Sequence, residues 1–150
     1  QLLRNRGLTL ALAESCTGGF VGELLTAVPG SSDYLLLDVV AYANGAKTQV
    51  LGVEPELLRA HGSVSAEVAR AMADGALRVG HADIAVAITG IAGPTGGSDD
   101  KPVGTVHFGV AMRGRPTEHV HRVFPGDRDR VRLLAAYTAL RLVHKAARSA

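Results

Sequence analysis

Short apolar runs alternate with segments of helical spacing along this sequence. Residues 8–13 and 83–89 are nearly continuous apolar runs bounded by glycine or polar residues. Such runs are typical of strands that are buried on both faces of a sheet. The run at 35–42 is short enough and apolar enough to be a further strand of the same kind.

Helical patterns lie between these runs and after the last of them. Apolar residues recur at helical spacing over 20–25 and again from 68 to 79, where Ser65 is a suitable N-cap and Gly80 a suitable stop. Asp127 is placed to cap a long helix that continues to the C-terminus. The order of strands and helices predicts βα units.

A hairpin completes the pattern. Residues 103–112 and 118–124 alternate apolar and polar positions, and a short turn containing Gly114 and Pro116 joins them. Together the elements predict an α/β fold in three layers, an α/β/α sandwich whose mixed sheet includes an antiparallel pair.

Composition narrows the class of protein. At 150 residues, with 47% hydrophobic and 20% charged residues, the chain is predicted to form one domain over residues 1–150 and not to be disordered. No run of 18 apolar residues is present, so we expect no membrane partner. A single cysteine, Cys16, cannot form an internal disulfide, which favours the cytoplasm. The start at Gln1, without a secretory leader, leaves open a preceding helix or domain.

Positive charge is concentrated in the second half of the chain. Residues 1–80 hold six Lys/Arg against eight Asp/Glu, and residues 81–150 hold ten against six. Most of the excess is expected on one face of the last helix, at Arg128, Arg130, Arg132, Arg141, Lys145 and Arg148. Because the chain has only three Tyr, three Phe and no Trp for stacking, a solvated helix face is favoured over a nucleic-acid partner.

The first segment with candidate chemistry, residues 14–19, lies between a predicted strand and a predicted helix. Ligands of α/β sheets bind beyond the carboxyl ends of strands, and a helix N-terminus offers free N–H groups to a phosphate or an oxyanion. Ser15 is a candidate nucleophile, and Cys16 is the second candidate. The alternative is structural: Ser15 or Thr17 caps the helix, and the two glycines at 18 and 19 form a tight turn.

The second segment, residues 42–47, follows another predicted strand. A neutral lysine can take a proton from a serine hydroxyl, which no arginine can do. Lys47 is one of only three lysines beside thirteen arginines, and Tyr42 could relay a proton or hold an oxyanion. The alternative is a solvated lysine after a turn at Asn44 and Gly45.

The third segment, residues 89–98, is rich in glycine and follows a buried strand. It lacks the ending of a P-loop and the spacing of a dinucleotide fingerprint, but glycines let a backbone approach a ligand closely. Residues 99–102 are expected to face water. His119 and His121 would share one strand face as half of a metal site, yet nothing is spaced to complete it, so ordinary histidines are favoured.

Six segments occur in an order that marks one family: residues 13–19, 42–47, 61–65, 89–94, 101–106 and 126–128. From about Leu8 to the last helix the chain closely resembles the CinA C-terminal domain, the nicotinamide mononucleotide amidohydrolase family. The resemblance implies a three-layer domain with a mixed, mostly parallel five-stranded sheet. It also implies hydrolysis of the carboxamide of nicotinamide mononucleotide to nicotinic acid mononucleotide and ammonia, in bacterial pyridine-nucleotide salvage, with no metal or other cofactor.

The resemblance also implies roles for individual residues. The catalytic positions fall on Ser15 as the nucleophile, Lys47 as the base and Tyr42. The substrate-contacting positions fall on Thr17, Gly18, Gly19, Asn44, Thr89, Gly90, Gly93 and Arg128. Family habit suggests a homodimer or larger oligomer. The alternative function is a binding module that keeps the nucleotide pocket and acts without catalysis in a competence or DNA-damage response.

Overall fold

A computed structural model describes residues 1–150. Its helices and strands follow one another along the chain in the order α1 Leu2–Arg6, β1 Leu10–Glu14, α2 Phe20–Thr26, β2 Leu35–Val40, α3 Asn44–Leu51, α4 Pro55–His61, α5 Ala66–Gly80, β3 Ile84–Gly90, β4 Thr105–Met112, β5 Glu118–Val123 and α6 Arg128–Ser149. A short 3-10 helix at Ser31–Asp33 precedes β2. No helix is both long enough and apolar enough to cross a bilayer.

The five strands form one mixed sheet in the order β2-β1-β3-β4-β5. Strand β1 is parallel to its neighbours β2 and β3, whereas β4 is antiparallel to both β3 and β5. Four strands therefore point the same way and β4 alone is reversed. This confirms the predicted mixed sheet, including the hairpin of β4 and β5.

Helices cover both faces of the sheet, which confirms the three layers. Helix α5 packs against β1, β3 and β4 and also contacts α3 and α4, while α6 packs on β3 and β4 and contacts α1 and α2. The layer under α6 contains large side chains such as Leu12, Ile88 and Phe108. The layer under α5 is rich in alanine, so that helix approaches the sheet closely.

The predicted caps of the two long helices are present. The hydroxyl of Ser65 accepts the N–H of Val68 at 3.3 Å, and the Asp127 carboxylate accepts the N–H of Arg130 at 2.9 Å. One predicted end was wrong: Gly80 belongs to α5, and His81 adopts the left-handed conformation that ends it. A Cβ at Gly80 would lie 2.9 Å from the Cβ of Ala11, so glycine there permits close packing.

The segment after β2 also differs from the prediction. Asn44 and Gly45 do not form a turn but begin α3, so Lys47 lies in the first turn of a helix. Helices α3 and α4 were not predicted, because their exposed faces dilute the apolar periodicity on which the prediction depends. The change matters for function, because a helix fixes the direction of the Lys47 side chain.

Candidate active site

A cavity of about 450 Å³ opens at the edge of the sheet where parallel strands β1 and β3 end. Its walls come from Ser15 after β1, from Tyr42 and Lys47 after β2, and from the glycine-rich segment at 89–96 after β3. The segment after α4, Lys101 and Arg128 complete the wall. The topology therefore brings the three candidate segments to one place, as expected for the carboxyl ends of parallel strands.

Ser15 and Lys47 meet at the floor of this cavity. The Lys47 Nζ atom lies 2.9 Å from the Ser15 Oγ atom, and it donates to the carbonyl oxygens of Ala41 at 2.8 Å and Tyr42 at 3.1 Å. The Ser15 backbone N–H donates to the carbonyl of Ile88 in β3 at 3.0 Å, which fixes the loop that carries Ser15 on the sheet. The two side chains are thus held by separate backbone anchors.

The surroundings of Lys47 favour a neutral amine. Only 1% of its surface is exposed, and this burial lowers the pKa of the ammonium from its ordinary value. A neutral amine has two hydrogens, and the carbonyls of Ala41 and Tyr42 accept two. The lone pair is then left to face the hydroxyl of Ser15, which is the orientation that proton transfer requires.

The loop after Ser15 presents free backbone donors. The N–H groups of Cys16, Thr17 and Gly19 have no acceptor in the protein, whereas that of Gly18 donates to the Ser15 carbonyl at 3.0 Å. Arg132 holds the opposite side of the loop, donating to the carbonyl oxygens of Cys16 at 3.2 Å and Thr17 at 3.0 Å. An oxyanion formed at Ser15 could therefore take hydrogen bonds from the first two amides but not from Gly18.

Four residues predicted to contact the substrate lie outside the cavity wall: Thr17, Gly18, Gly19 and Asn44. The Thr17 hydroxyl points away from the cavity and donates to the Glu14 carboxylate at 2.5 Å. The two glycines have φ values of 60° and 99°, which other residues rarely adopt, and they shape the loop. Gly18 and Gly19 therefore shape the backbone of the loop. Asn44 is the first residue of α3.

The glycine-rich wall is built by close packing. The Thr89 hydroxyl donates to the carbonyl of Ser63 at 2.7 Å, which joins this wall to the segment after α4. A Cβ at Gly90 would lie 2.8 Å from Val106 and 3.1 Å from the Cys16 sulfur. Thr89, Gly90 and Gly93 all line the cavity.

Arg128 reaches the cavity from the first turn of α6. Its guanidinium donates to the carbonyl of Gly93 at 2.8 Å and to the phenol oxygen of Tyr42 at 3.1 Å. The side chain of Tyr42 is 59% exposed, and its backbone carbonyl is the part that contacts Lys47. The phenol is therefore placed beside the cation at the cavity mouth and away from the proton path between Lys47 and Ser15.

The chemistry of Cys16 differs from that of its neighbour. Burial raises the pKa of its thiol to about 11, with the nearby Glu14 adding to the rise. A thiol that keeps its proton is a poor nucleophile. Of the two candidates, Ser15 alone has an amine at hydrogen-bonding distance.

Asp99, Asp100 and Pro102 face water, as predicted, whereas Lys101 is half-buried, lines the cavity and donates to the carbonyl of His61 at 2.8 Å. The prediction for the basic residues of α6 was wrong. The basic residues of α6 do not share one face, because Arg128 and Arg132 turn toward the site. Arg141 and Lys145 instead line a separate groove of about 660 Å³ between β5 and α6, which contains no nucleophile. Sequence spacing could have separated these sets, since positions four apart share a helix face.

The histidines on the hairpin form a stack on one face of the sheet. The ring of His107 lies 4.5 Å from that of His121 and 5.0 Å from that of His119. Burial and the neighbouring histidines lower the pKa of His107 to about 4. No group of three or more His, Cys, Asp or Glu side chains is arranged to hold a metal ion.

Comparison with known proteins identifies the family of this chain. The profile of the CinA C-terminal domain matches residues 1–147. The chain belongs to the CinA C-terminal domain family.

Among similar CinA-family proteins, the CinA-like protein of Anaeromyxobacter sp. (strain K) is 62% identical over 146 residues, covering 97% of this chain and 36% of that protein. The CinA-like protein of Geobacter sulfurreducens is 55% identical over 140 residues, covering 93% of this chain and 34% of its own length. The chain thus spans about a third of the length of these relatives.

Solved structures of CinA-family proteins have the same fold. A competence/damage inducible protein from Agrobacterium tumefaciens superposes with a TM-score of 0.92 at 42% identity, over 95% of this chain and 87% of that one. The competence damage-inducible protein A of Klebsiella pneumoniae gives a TM-score of 0.91 at 39% identity, over 95% and 88% of the two chains. These likenesses confirm the predicted family and fold.

Proposed function

We propose that this CinA domain is an amidohydrolase that acts on the carboxamide of nicotinamide mononucleotide. The observation that carries the proposal is the contact of 2.9 Å between the Ser15 Oγ atom and the buried Nζ atom of Lys47. A binding module needs neither a nucleophile nor a desolvated base. Burial of a lysine destabilises its charged form, and groups perturbed in this way in a cavity are typical of functional sites.

The reaction follows the order of the contacts. Lys47 takes the hydroxyl proton as Ser15 attacks the amide carbon, and the N–H groups of Cys16 and Thr17 stabilise the oxyanion. Lys47 then returns the proton to the leaving nitrogen, which departs as ammonia. A water molecule, deprotonated by the same amine, hydrolyses the acyl-serine and releases the carboxylic acid.

The choice of a nucleotide rests on the family resemblance and on the charges of the cavity. Arg128 and Lys101 supply positive charge on the walls, and the cavity of about 450 Å³ falls within the usual range for small-molecule sites. A phosphate would receive charge-assisted hydrogen bonds from these two residues. The nicotinamide end would then lie toward Ser15 at the floor of the cavity.

Ammonia release is the test of this function. Purified protein should release ammonia from nicotinamide mononucleotide and form nicotinic acid mononucleotide, and Ser15→Ala should abolish both. Saturable nucleotide binding without ammonia release would instead support the binding module. Denaturation curves of the two proteins provide the control, because loss of one small hydroxyl that faces the cavity should not prevent folding.

A further inference from the structure

Beneath the loop that carries the nucleophile lies a buried carboxylate. Glu14, the last residue of β1, is fully buried. Its Oε1 atom accepts the Thr17 hydroxyl at 2.5 Å and the Val21 N–H at 3.0 Å, and its Oε2 atom accepts the Gly22 N–H at 3.0 Å. Glu14 therefore ties the nucleophile loop to the first turn of α2.

A second carboxyl group lies against the first. Asp38 in β2 pairs with Leu12 in β1, so its side chain is on the same face as that of Glu14 two residues further along. The register sets the Asp38 carboxyl beside that of Glu14, and the Oδ1 atom of Asp38 is buried without a partner. A Cβ at Gly22 would lie 2.0 Å from the other Asp38 oxygen, so only glycine lets α2 approach this closely.

No cation compensates this pair. The basic groups near the loop are directed elsewhere, since Arg132 donates to the carbonyls of Cys16 and Thr17, and Lys47 donates to the carbonyls after β2 and faces Ser15. Helix α2 contributes only backbone N–H groups to the pair, and its Glu23 is exposed. The remaining titratable neighbour is the protonated thiol of Cys16. Glu14 is fully buried and Asp38 is half-buried. Two neighbouring carboxyl groups in such a place share one proton when no cation compensates them, because two like charges there would repel.

We propose that Asp38 is a positioning residue for the amidase reaction: as the neutral acid it donates its proton to Glu14, and the pair holds Ser15 and the free N–H groups of Cys16 and Thr17 in place. Its catalytic consequence rests on the function proposed above. Burial and the contact with Glu14 raise the pKa of Asp38 to about 8, so the pair keeps its proton at neutral pH. Ionisation would place two negative charges side by side and displace the loop.

Activity as a function of pH tests the positioning role. The wild-type rate should fall as the pH rises through about 8, whereas Asp38→Asn, whose amide donates to Glu14 and cannot ionise, should lack this fall. At pH 7 we expect Asp38→Asn to keep kcat within about threefold and Asp38→Ala to lower kcat by roughly 10²-fold with a smaller change in KM, because small displacements at a reacting centre have effects of that size. The exposed Asp33→Asn is the matched control and should keep the wild-type profile.

The pH dependence of thermal unfolding measures the same titration of Asp38 without catalysis. A carboxyl group whose pKa is raised in the folded state stabilises the protein at low pH, and this contribution is lost as the pH rises through the folded pKa. The Tm of the wild type relative to Asp38→Asn should therefore fall from about pH 4 to about pH 8 and then level off. Parallel Tm curves for the two proteins would overturn the shared proton.

A third measurement separates this inference from the proposed substrate. A fluorophosphonate reacts with an activated serine. At Ser15 an O–P bond would form as fluoride leaves and Lys47 takes the proton, and mass spectrometry of the intact protein over time gives the labelling rate. If ammonia release fails but labelling shows the same dependence on Asp38 and pH, the substrate is wrong and the positioning role stands. Labelling and turnover that ignore the Asp38 variants would overturn the role, even if Tm responds.

Discussion

Replacing Lys47 by arginine tests whether this residue accepts a proton or only supplies charge. Arginine keeps a positive side chain at the position but cannot lose its proton. If the lysine is the base for Ser15, the variant should lose about 10²–10⁴-fold in kcat, the usual contribution of a general base and equivalent to about 3–5 kcal/mol. Lys47→Met, which lacks both charge and proton acceptance, should be equally impaired.

The magnitude follows from the protonation of the amine. A free lysine with a pKa near 10.4 is neutral in only about one molecule in 2,500 at pH 7, and each unit by which burial lowers its pKa raises that fraction about tenfold. Lys47 is 1% exposed and its pKa is lowered by burial. Because ionisation of Asp38 is expected to lower the wild-type rate above about pH 8, this titration is measured in Asp38→Asn. In that variant the logarithm of kcat/KM should rise with unit slope through a pKa below that of free lysine.

Stability provides an independent measurement of the same shift. A lysine whose pKa is lowered in the folded state binds fewer protons there than in the unfolded chain, so its contribution to stability rises with pH from the folded pKa up to about 10.4. The free energy of unfolding of the wild type relative to Lys47→Met should rise across that window in urea titrations. An arginine variant with near wild-type turnover and an unchanged pH profile would show that another group takes the serine proton.

Three further sets of substitutions test other parts of the structure. Ser15→Ala should lower ammonia release by at least about 10³-fold with little change in nucleotide affinity, while Cys16→Ala keeps most activity; the reverse ranking would assign the thiol as nucleophile. Arg128→Ala should weaken nucleotide binding by roughly tenfold to a hundredfold in calorimetric titration and leave the nucleoside unchanged, and equal affinities of the wild type for both would remove the phosphate site. Gly109→Ala should lower the free energy of unfolding by about 1–3 kcal/mol, because its Cβ would lie 2.2 Å from a carbonyl oxygen of α5. Gly45→Ala, which has open space around it, is the control, and equal Tm values for the two variants would contradict this packing.

The sequence by itself determined the layers and indicated which segments carry candidate chemistry. Buried strands appear as continuous apolar runs, and the caps at Ser65 and Asp127 depend on residues three positions away, so both signals are local. The rule that ligands bind beyond the carboxyl ends of parallel strands then selected the segments after β1, β2 and β3. Family resemblance selected Ser15 and Lys47 within those segments.

Only the tertiary structure decided which side chains meet. Lys47 contacts a serine 32 positions earlier, because α3 turns its side chain toward the end of β1. Arg128 binds the phenol of Tyr42 across 86 positions, and Asp38 meets Glu14 because β2 and β1 are neighbours with this register. Strand order, register and helix direction are set by the packing of the whole core, and the local periodicity of the sequence does not specify them. The sequence therefore predicted candidate side chains at one edge of the sheet, and packing determined which side chains are in contact there.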